Sequence, residues 1–315
     1  MIITDEKTAF IFPGQGAQTV GMAKDIVHAH REAAQLFEKA GSILGYDLAD
    51  ICFHGPEEKL NATSISQPAI FLTSAAILEV LKTKSPAFQK KPAVTAGLSL
   101  GEYTALYAAG VMTFDDALTL VQKRASAMQA AADASAGAMV TILGLDEEKA
   151  IQLCSEAAQG DLLVPANFNC PGQIVLSGEL EPCSRAVELA EKYGAIKAVK
   201  LKVAGAFHTS MMTPAANSLA QAISSINIRP PANTRIIANI NAQYYTSPQQ
   251  IADGLTTQLV QPIFWQKCME KLLTDGIEQF YEIGPGRVLT GLMKKISRKT
   301  KVFNISDLQS LDQLI

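Results

Sequence analysis

At 315 residues the chain is long enough for a full α/β enzyme core with one inserted subdomain, and 48% hydrophobic with 18% charged residues is a globular rather than a disordered composition. A formal net charge of −3 gives no electrostatic reason to expect nucleic acid or an anionic membrane as a partner. The five cysteines (Cys52, Cys154, Cys170, Cys183, Cys268) are scattered, with no C-x-x-C pair, which argues for reduced thiols and against a disulfide framework or a metal site.

The N-terminal stretch Met1-Ile2-Ile3-Thr4-Asp5-Glu6-Lys7 lacks the apolar core of a signal peptide, and no 18-residue apolar run is read further on. A soluble, cytoplasmic protein without a membrane segment is expected. Thr8 to Phe12 is a short apolar run stopped by Pro13-Gly14-Gln15-Gly16, the pattern of a buried parallel strand entering a glycine-rich turn. One helix is expected from about Met22 to Leu44, with His28 and His30 on its surface, and a second capped by Ser66-Gln67-Pro68.

Pro92 to Ala96 reads as another buried strand, and Glu102 to Ala109 as the start of a helix. Between them stands Gly97-Leu98-Ser99-Leu100-Gly101. A bare G-x-S-x-G is weak, but a sharp strand-to-helix turn needs glycines on either side of its apex and lifts the serine oxygen out of the sheet. It also aims the first free N–H groups of the helix at whatever that oxygen attacks. Asp115 then opens a helix carrying Leu118, Val121, Arg124 and Met128.

The rhythm changes next. Strands at Ala138–Gly144, Leu162–Phe168, Gln173–Ser177 and Ala195–Val203 interleave with helices at Asp146–Ala158 and Glu181–Tyr193. That β-α-β-β-α-β order is the ferredoxin-like pattern. Strands near Arg235–Asn239 and Gln279–Glu282 follow, among helices at Pro214–Ile226, Gln249–Leu259 and Trp265–Leu273. The expected fold is an α/β-hydrolase-like large subdomain with a parallel sheet, residues 1–134 and 205–315, and an inserted ferredoxin-like subdomain over 135–204.

A serine hydroxyl needs an adjacent base. His208, where the small module returns to the main body, is better placed than His28, His30 or His54. A hydrolase with this elbow would carry an acid between Ser and His, yet none of Asp115, Asp116, Asp133, Asp146 and Asp161 ends a main-sheet strand. Pro13 to Gln18 lacks the lysine of a phosphate loop; it is either an ordinary turn or the source of an oxyanion-hole N–H opposite that of Leu100.

Six segments in order carry a family resemblance: Phe12 to Gln18, Gly97 to Tyr103, Gln122-Lys123-Arg124, Asn167-Phe168-Asn169, Phe207-His208 and Glu282 to Gly286. Together they resemble the malonyl-CoA:acyl carrier protein transacylases, the acyltransferases of fatty acid and polyketide synthesis, from about residue 8 to about 300. The resemblance implies Ser99 as nucleophile, His208 as base and Gln258 at the position whose oxygen orients that histidine. It places the oxyanion amides at Gln15 and Leu100, the malonyl-binding arginine at Arg124, and cleft-lining residues at Asn167, Asn169 and Phe207. It implies malonyl-CoA and an acyl carrier protein as partners, no bound cofactor or metal, and a monomer.

The departures are Leu98 for a common histidine, Ala125 for a glycine, and Ala206-Phe207-His208-Thr209 for a commoner Phe-His-Ser; Leu98 is expected to point away from the reacting carbonyl. A physical reason for Arg124 stands apart from the family: a malonyl carboxylate in a partly dry pocket suits a planar guanidinium. The rival readings are a serine thioesterase or esterase, a polyketide-pathway acyltransferase, and a carrier-docking subunit with a relic site.

Overall fold

The computed structural model describes residues 5–315; Met1–Thr4, part of the N-terminal stretch read above, lie outside the described residues. The chain enters through β1 (Thr8–Phe12), every residue of which is buried. Four helices follow: α1 (Lys24–Ala29), α2 (Arg31–Leu44), α3 (Leu48–His54) and α4 (Glu57–Asn61). The single helix expected over Met22–Leu44 is therefore two, because His30 takes an extended conformation (φ −127°, ψ 118°) that breaks it. His30 is not a surface residue either: it is 6% exposed and its Nδ1 lies 3.1 Å from Lys84 Nζ.

Helix α5 (Thr63–Lys84) is apolar all round and occupies the centre of the large body. By length and composition it could cross a membrane, which corrects the reading that no such run exists, but 83% of its most apolar window is buried inside the protein. Ser66-Gln67-Pro68 lie within its first two turns rather than at its cap. Next come β2 (Val94–Gly97), α6 (Gly101–Ala109) and α7 (Phe114–Asp133), the last capped by the Thr113 side chain accepting from the Asp116 N–H.

The middle of the chain forms a sheet of its own. Strands β3 (Gly137–Leu143), β4 (Leu163–Cys170), β5 (Gln173–Glu179) and β6 (Lys197–Lys200) pair antiparallel in the order β4-β5-β3-β6, with α8 (Glu147–Ala158) and α9 (Leu180–Leu189) between them in sequence. Only four residues of the long strand expected at Ala195–Val203 belong to β6. Beyond Leu201, whose N–H donates to Met139 O, the chain leaves the sheet to line a cleft.

The chain then returns through α10 (Thr213–Ile223), β7 (Arg235–Ile236), α11 (Pro248–Gln258), α12 (Trp265–Thr274), β8 (Gln279–Ile283), α13 (Val288–Ile296), β9 (Lys301–Ile305) and α14 (Leu308–Asp312). The large sheet is parallel throughout, in the order β7-β2-β1-β8-β9. One face packs on α2, α5, α6 and α7 and the other on α12 and α13, so both faces of the parallel sheet are covered. The fold is thus α/β, a parallel sheet with a separate antiparallel one. β4 is tied to the large body, where Phe168 N–H donates to Ile263 O (2.8 Å) and Ile263 N–H to Ala166 O (2.9 Å).

Candidate active site

Ser99 sits just past the C-terminal end of β2, which lies between β7 and β1 in the sheet, and immediately before α6. Its φ of +52° is a left-handed conformation that costs energy for any residue with a Cβ. The flanking glycines explain how the turn closes. A Cβ on Gly97 would lie 1.9 Å from the Gly101 carbonyl carbon, and one on Gly101 would lie 2.1 Å from Phe12 O. The elbow is also tied to the loop after β1, with Leu98 N–H donating to Phe12 O (3.1 Å).

Ser99 Oγ is 3.0 Å from His208 Nε2. The other ring nitrogen, Nδ1, is 2.7 Å from the main-chain oxygen of Gln258. A carbonyl can only accept, so Nδ1 carries the proton and Nε2 is left to take one from the serine. Burial, with the positive charge of Arg124 nearby, lowers His208 from 6.5 to about 4, against the carbonyl's opposing pull. The imidazole is therefore neutral at pH 7.

Arg124, on α7, is 1% exposed. Its Nη1 donates to Gln67 Oε1 (2.6 Å), and its Nη2 to Ser99 Oγ (2.9 Å) and to Gln258 Oε1 (2.9 Å). The guanidinium also stands 5.4 Å from the Tyr103 ring centre. Every hydrogen-bond partner is neutral, and no carboxylate forms an ion pair with it among the described residues. Its buried Nε has no partner among them. A buried cation with no carboxylate partner is costly, and an anionic group brought beside Ser99 would offset that cost.

These side chains open on a cleft of about 430 Å³ between the large body and the small sheet. Gln15, Arg124, Asn167, Asn169, Phe207 and His208 line it beside Ser99. Asn169 Oδ1 is buried there without a partner among the described residues. Leu98 lines it too, and also packs against the core cluster of Ile11, Val94 and Ala96. Leu100 and Gln258 do not line it: both are fully buried behind the elbow, Gln258 contributing through its carbonyl and its amide. The N–H groups of Gln15 and Leu100 donate to nothing within the described residues.

Three contributors carry no role in the sequence reading. Asn239 accepts from the Ser99 N–H (2.7 Å) and donates from Nδ2 to Gly97 O (2.8 Å), clamping both sides of the elbow. Its signal is a polar residue ending the apolar run Ile236-Ile237-Ala238. The strand expected to reach it stops at Ile236, and the next turn delivers it to the serine. Gln67, which holds Arg124, is hidden in the mostly buried α5. Glu102, a carboxylate in the first turn of α6, is fully buried.

The chain matches the acyl transferase domain family over residues 9–313. It is 40% identical, over 98% of its length and 96% of the other's, to a protein of Bacillus subtilis named malonyl CoA-acyl carrier protein transacylase. An acyl carrier protein S-malonyltransferase from Vibrio cholerae superposes with a TM-score of 0.92 at 40% identity, covering 98% of this chain and 100% of that one. A malonyl-transacylase solved in complex with its type II polyketide synthase acyl carrier protein gives a TM-score of 0.93 at 39% identity, covering 98% of each chain. This chain belongs to the acyl transferase domain family.

Proposed function

We propose that the protein moves a malonyl group from malonyl-CoA to the phosphopantetheine thiol of an acyl carrier protein, through a malonyl ester on Ser99, to supply fatty acid synthesis. The observation that carries this is the buried guanidinium of Arg124, 2.9 Å from the nucleophilic oxygen and paired with no carboxylate among the described residues. A hydrolase of neutral esters has no use for it. The three-carbon malonyl chain, once on Oγ, is short enough for its carboxylate to take the place of the neutral partners around Arg124.

In the first half-reaction His208 Nε2 takes the Ser99 proton as Oγ bonds to the thioester carbonyl carbon. The oxyanion is received by the free N–H groups of Gln15 and Leu100. The C–S bond then breaks and the proton on Nε2 passes to the leaving thiolate. The second half-reaction runs the same steps in reverse with the carrier's thiol as nucleophile. Asn167, Asn169 and Phe207 shape the wall along which either thioester enters.

In this reading residues 135–204 form a subdomain inserted into the body made by 1–134 and 205–315, and the cleft between them admits the phosphopantetheine arm. The protein acts as a cytoplasmic monomer and engages neither membrane nor nucleic acid. Support for thiol rather than water as acceptor comes from the similarity to proteins named as transacylases. The test is to incubate the protein with malonyl-CoA, denature it and seek a malonyl adduct on Ser99 by mass spectrometry. Transfer to a pantetheine thiol that outruns hydrolysis supports the reading, and rapid hydrolysis with no thiol product refutes it.

A further inference from the structure

Glu102 reaches neither Ser99 nor His208, yet it bonds two residues that do: the Asn239 side chain accepts from the Ser99 N–H, and the Gln258 main-chain oxygen accepts from His208. Its Oε2 accepts from the Gln258 amide nitrogen (2.8 Å) and from the Asn239 N–H (3.1 Å), and its Oε1 accepts from the Tyr245 hydroxyl (2.5 Å). The Gln258 nitrogen also donates to Ser99 O (3.1 Å), while its oxygen accepts from Arg124 Nη2 (2.9 Å). A side-chain amide can sit two ways round. Here one side offers only acceptors, Glu102 Oε2 and the Ser99 carbonyl, and the other only the guanidinium, which has no acceptor. Turning the amide over would set its oxygen against two oxygens and its NH₂ against a cation.

We propose that Glu102 is a positioning residue for substrate choice: it fixes the facing of the Gln258 amide, and through that amide holds Arg124 where the malonyl carboxylate arrives. This rests on the malonyl-transfer reading and deepens it. The demand is for an acceptor at the Oε2 position, not for a negative charge. Gln258 and Asn239 both donate to that one oxygen, whereas the Tyr245 hydroxyl opposite can donate or accept. Burial moreover pushes the Glu102 carboxyl up from 4.5 to about 7, although Tyr245, Gln258, Asn239 and the positive charge of Arg124 pull it down. Near neutral pH the neutral acid is accessible, and with its proton toward Tyr245 it still presents Oε2 as an acceptor.

Two substitutions separate position from charge. Glu102→Asp keeps the carboxylate but withdraws it by one methylene from Gln258. Glu102→Gln removes the charge and leaves an oxygen at the Oε2 position. Single-turnover acylation of Ser99 is followed by intact-protein mass spectrometry with malonyl-CoA and with acetyl-CoA, which has no carboxylate. The malonyl-to-acetyl rate ratio should fall at least about tenfold in Glu102→Asp and stay within about threefold of the wild type in Glu102→Gln.

Gln258→Met, which deletes the intermediary amide but keeps the main-chain carbonyl, should lower the ratio like Glu102→Asp. Adding Glu102→Asp to it should lower the ratio no further. Parallel loss on both substrates would make Glu102 a structural residue and overturn the proposal. The reverse pattern, with Asp retained and Gln lost, would overturn it in favour of a counter-charge for Arg124. Additive effects in the double variant would show that Glu102 does not act through Gln258. If Glu102→Asp fails to fold, Glu102→Gln and Gln258→Met still decide, because the proposal requires the first to keep the ratio and the second to lose it. Absence of any malonyl adduct on the wild type would instead strike the malonyl-transfer reading and the proposal with it.

Discussion

Arg124→Ala tests the receptor for the carboxylate most directly. The guanidinium makes hydrogen bonds of 2.6, 2.9 and 2.9 Å to Gln67, Ser99 and Gln258, all neutral partners. A bound malonyl carboxylate would exchange some of these for charge-assisted contacts, and without the arginine it would lie buried and unpaired. Breaking such a pair from one side costs about 2–5 kcal/mol, or about 30- to 5,000-fold in kcat/KM for malonyl-CoA. Acetyl-CoA loses no such contact. Removing the positive charge also lifts His208 from its lowered value of about 4 toward the ordinary histidine range. The acid limb of the acetyl-CoA profile should then move up in pH while its plateau is kept or raised. The assay is kcat/KM for both thioesters across pH 4–8 in wild type and variant. An equal loss on both substrates would refute the assignment of Arg124 to the substrate carboxylate, and an acid limb that stays in place would leave burial alone as the cause of the lowered His208 value.

Ser99→Ala should abolish the covalent adduct in the mass spectrum and lower transfer on the order of 10³-fold or more, since binding and oxyanion donors remain but the nucleophile does not. His208→Ala should slow formation and discharge of the malonyl-enzyme together in stopped-flow single turnovers, because one imidazole takes the proton in one half-reaction and returns it in the other. Gly101→Ala should lower stability by about 3 kcal/mol or more in denaturant titrations, since its Cβ would meet Phe12 O at 2.1 Å and backbone cannot give way cheaply. Glu102 favours the folded state fully below pH 4.5 and loses that contribution as pH rises through about 7, because its folded value is raised. Glu102→Gln never ionises, so it should gain stability over the wild type across that window, by up to about 3 kcal/mol, in chemical denaturation at pH 4.5 and 8.

The elbow was legible because its constraint is local: two glycines, a buried strand and a helix within a few residues leave little else for that stretch to do. The small sheet was legible for a related reason, since alternation and turn residues mark each of its strands in sequence. Residues that act across long separations were not. Asn239 meets Ser99 140 positions away, and only the premature end of β7 at Ile236 turns its side chain toward the elbow. Gln67 is masked by the all-round burial of α5, in which a polar residue has no face to betray it. The failure at His30 is instructive as well: apolar spacing ran unbroken through α1 and α2, and one extended residue buried against Lys84 interrupted it. Periodicity reports which residues face the core, not where the backbone stops being a helix.

Among the described residues His208 has a carbonyl rather than an acid as its partner, and the electrostatics of the proposed substrate choice account for that. A carboxylate in place of the Gln258 carbonyl, 2.7 Å from Nδ1, would stabilise the imidazolium and raise the histidine's pKa. It would also stand beside Arg124 and compete with the malonyl carboxylate for the guanidinium. Among the described residues the carboxyl nearest this network, Glu102, stands an amide away: Glu102 bonds Gln258, and Gln258 bonds Arg124. Arg124 would therefore meet the proposed substrate with no carboxylate bonded to it directly, and until then its charge disfavours protonated His208. When a malonyl carboxylate neutralises the guanidinium, the imidazolium formed on serine attack no longer faces an uncompensated cation. Acetyl-CoA would bring no such relief, so under the proposed assignment the same arginine would discriminate twice, by failing to hold the wrong acyl group and by opposing the proton transfer that group requires.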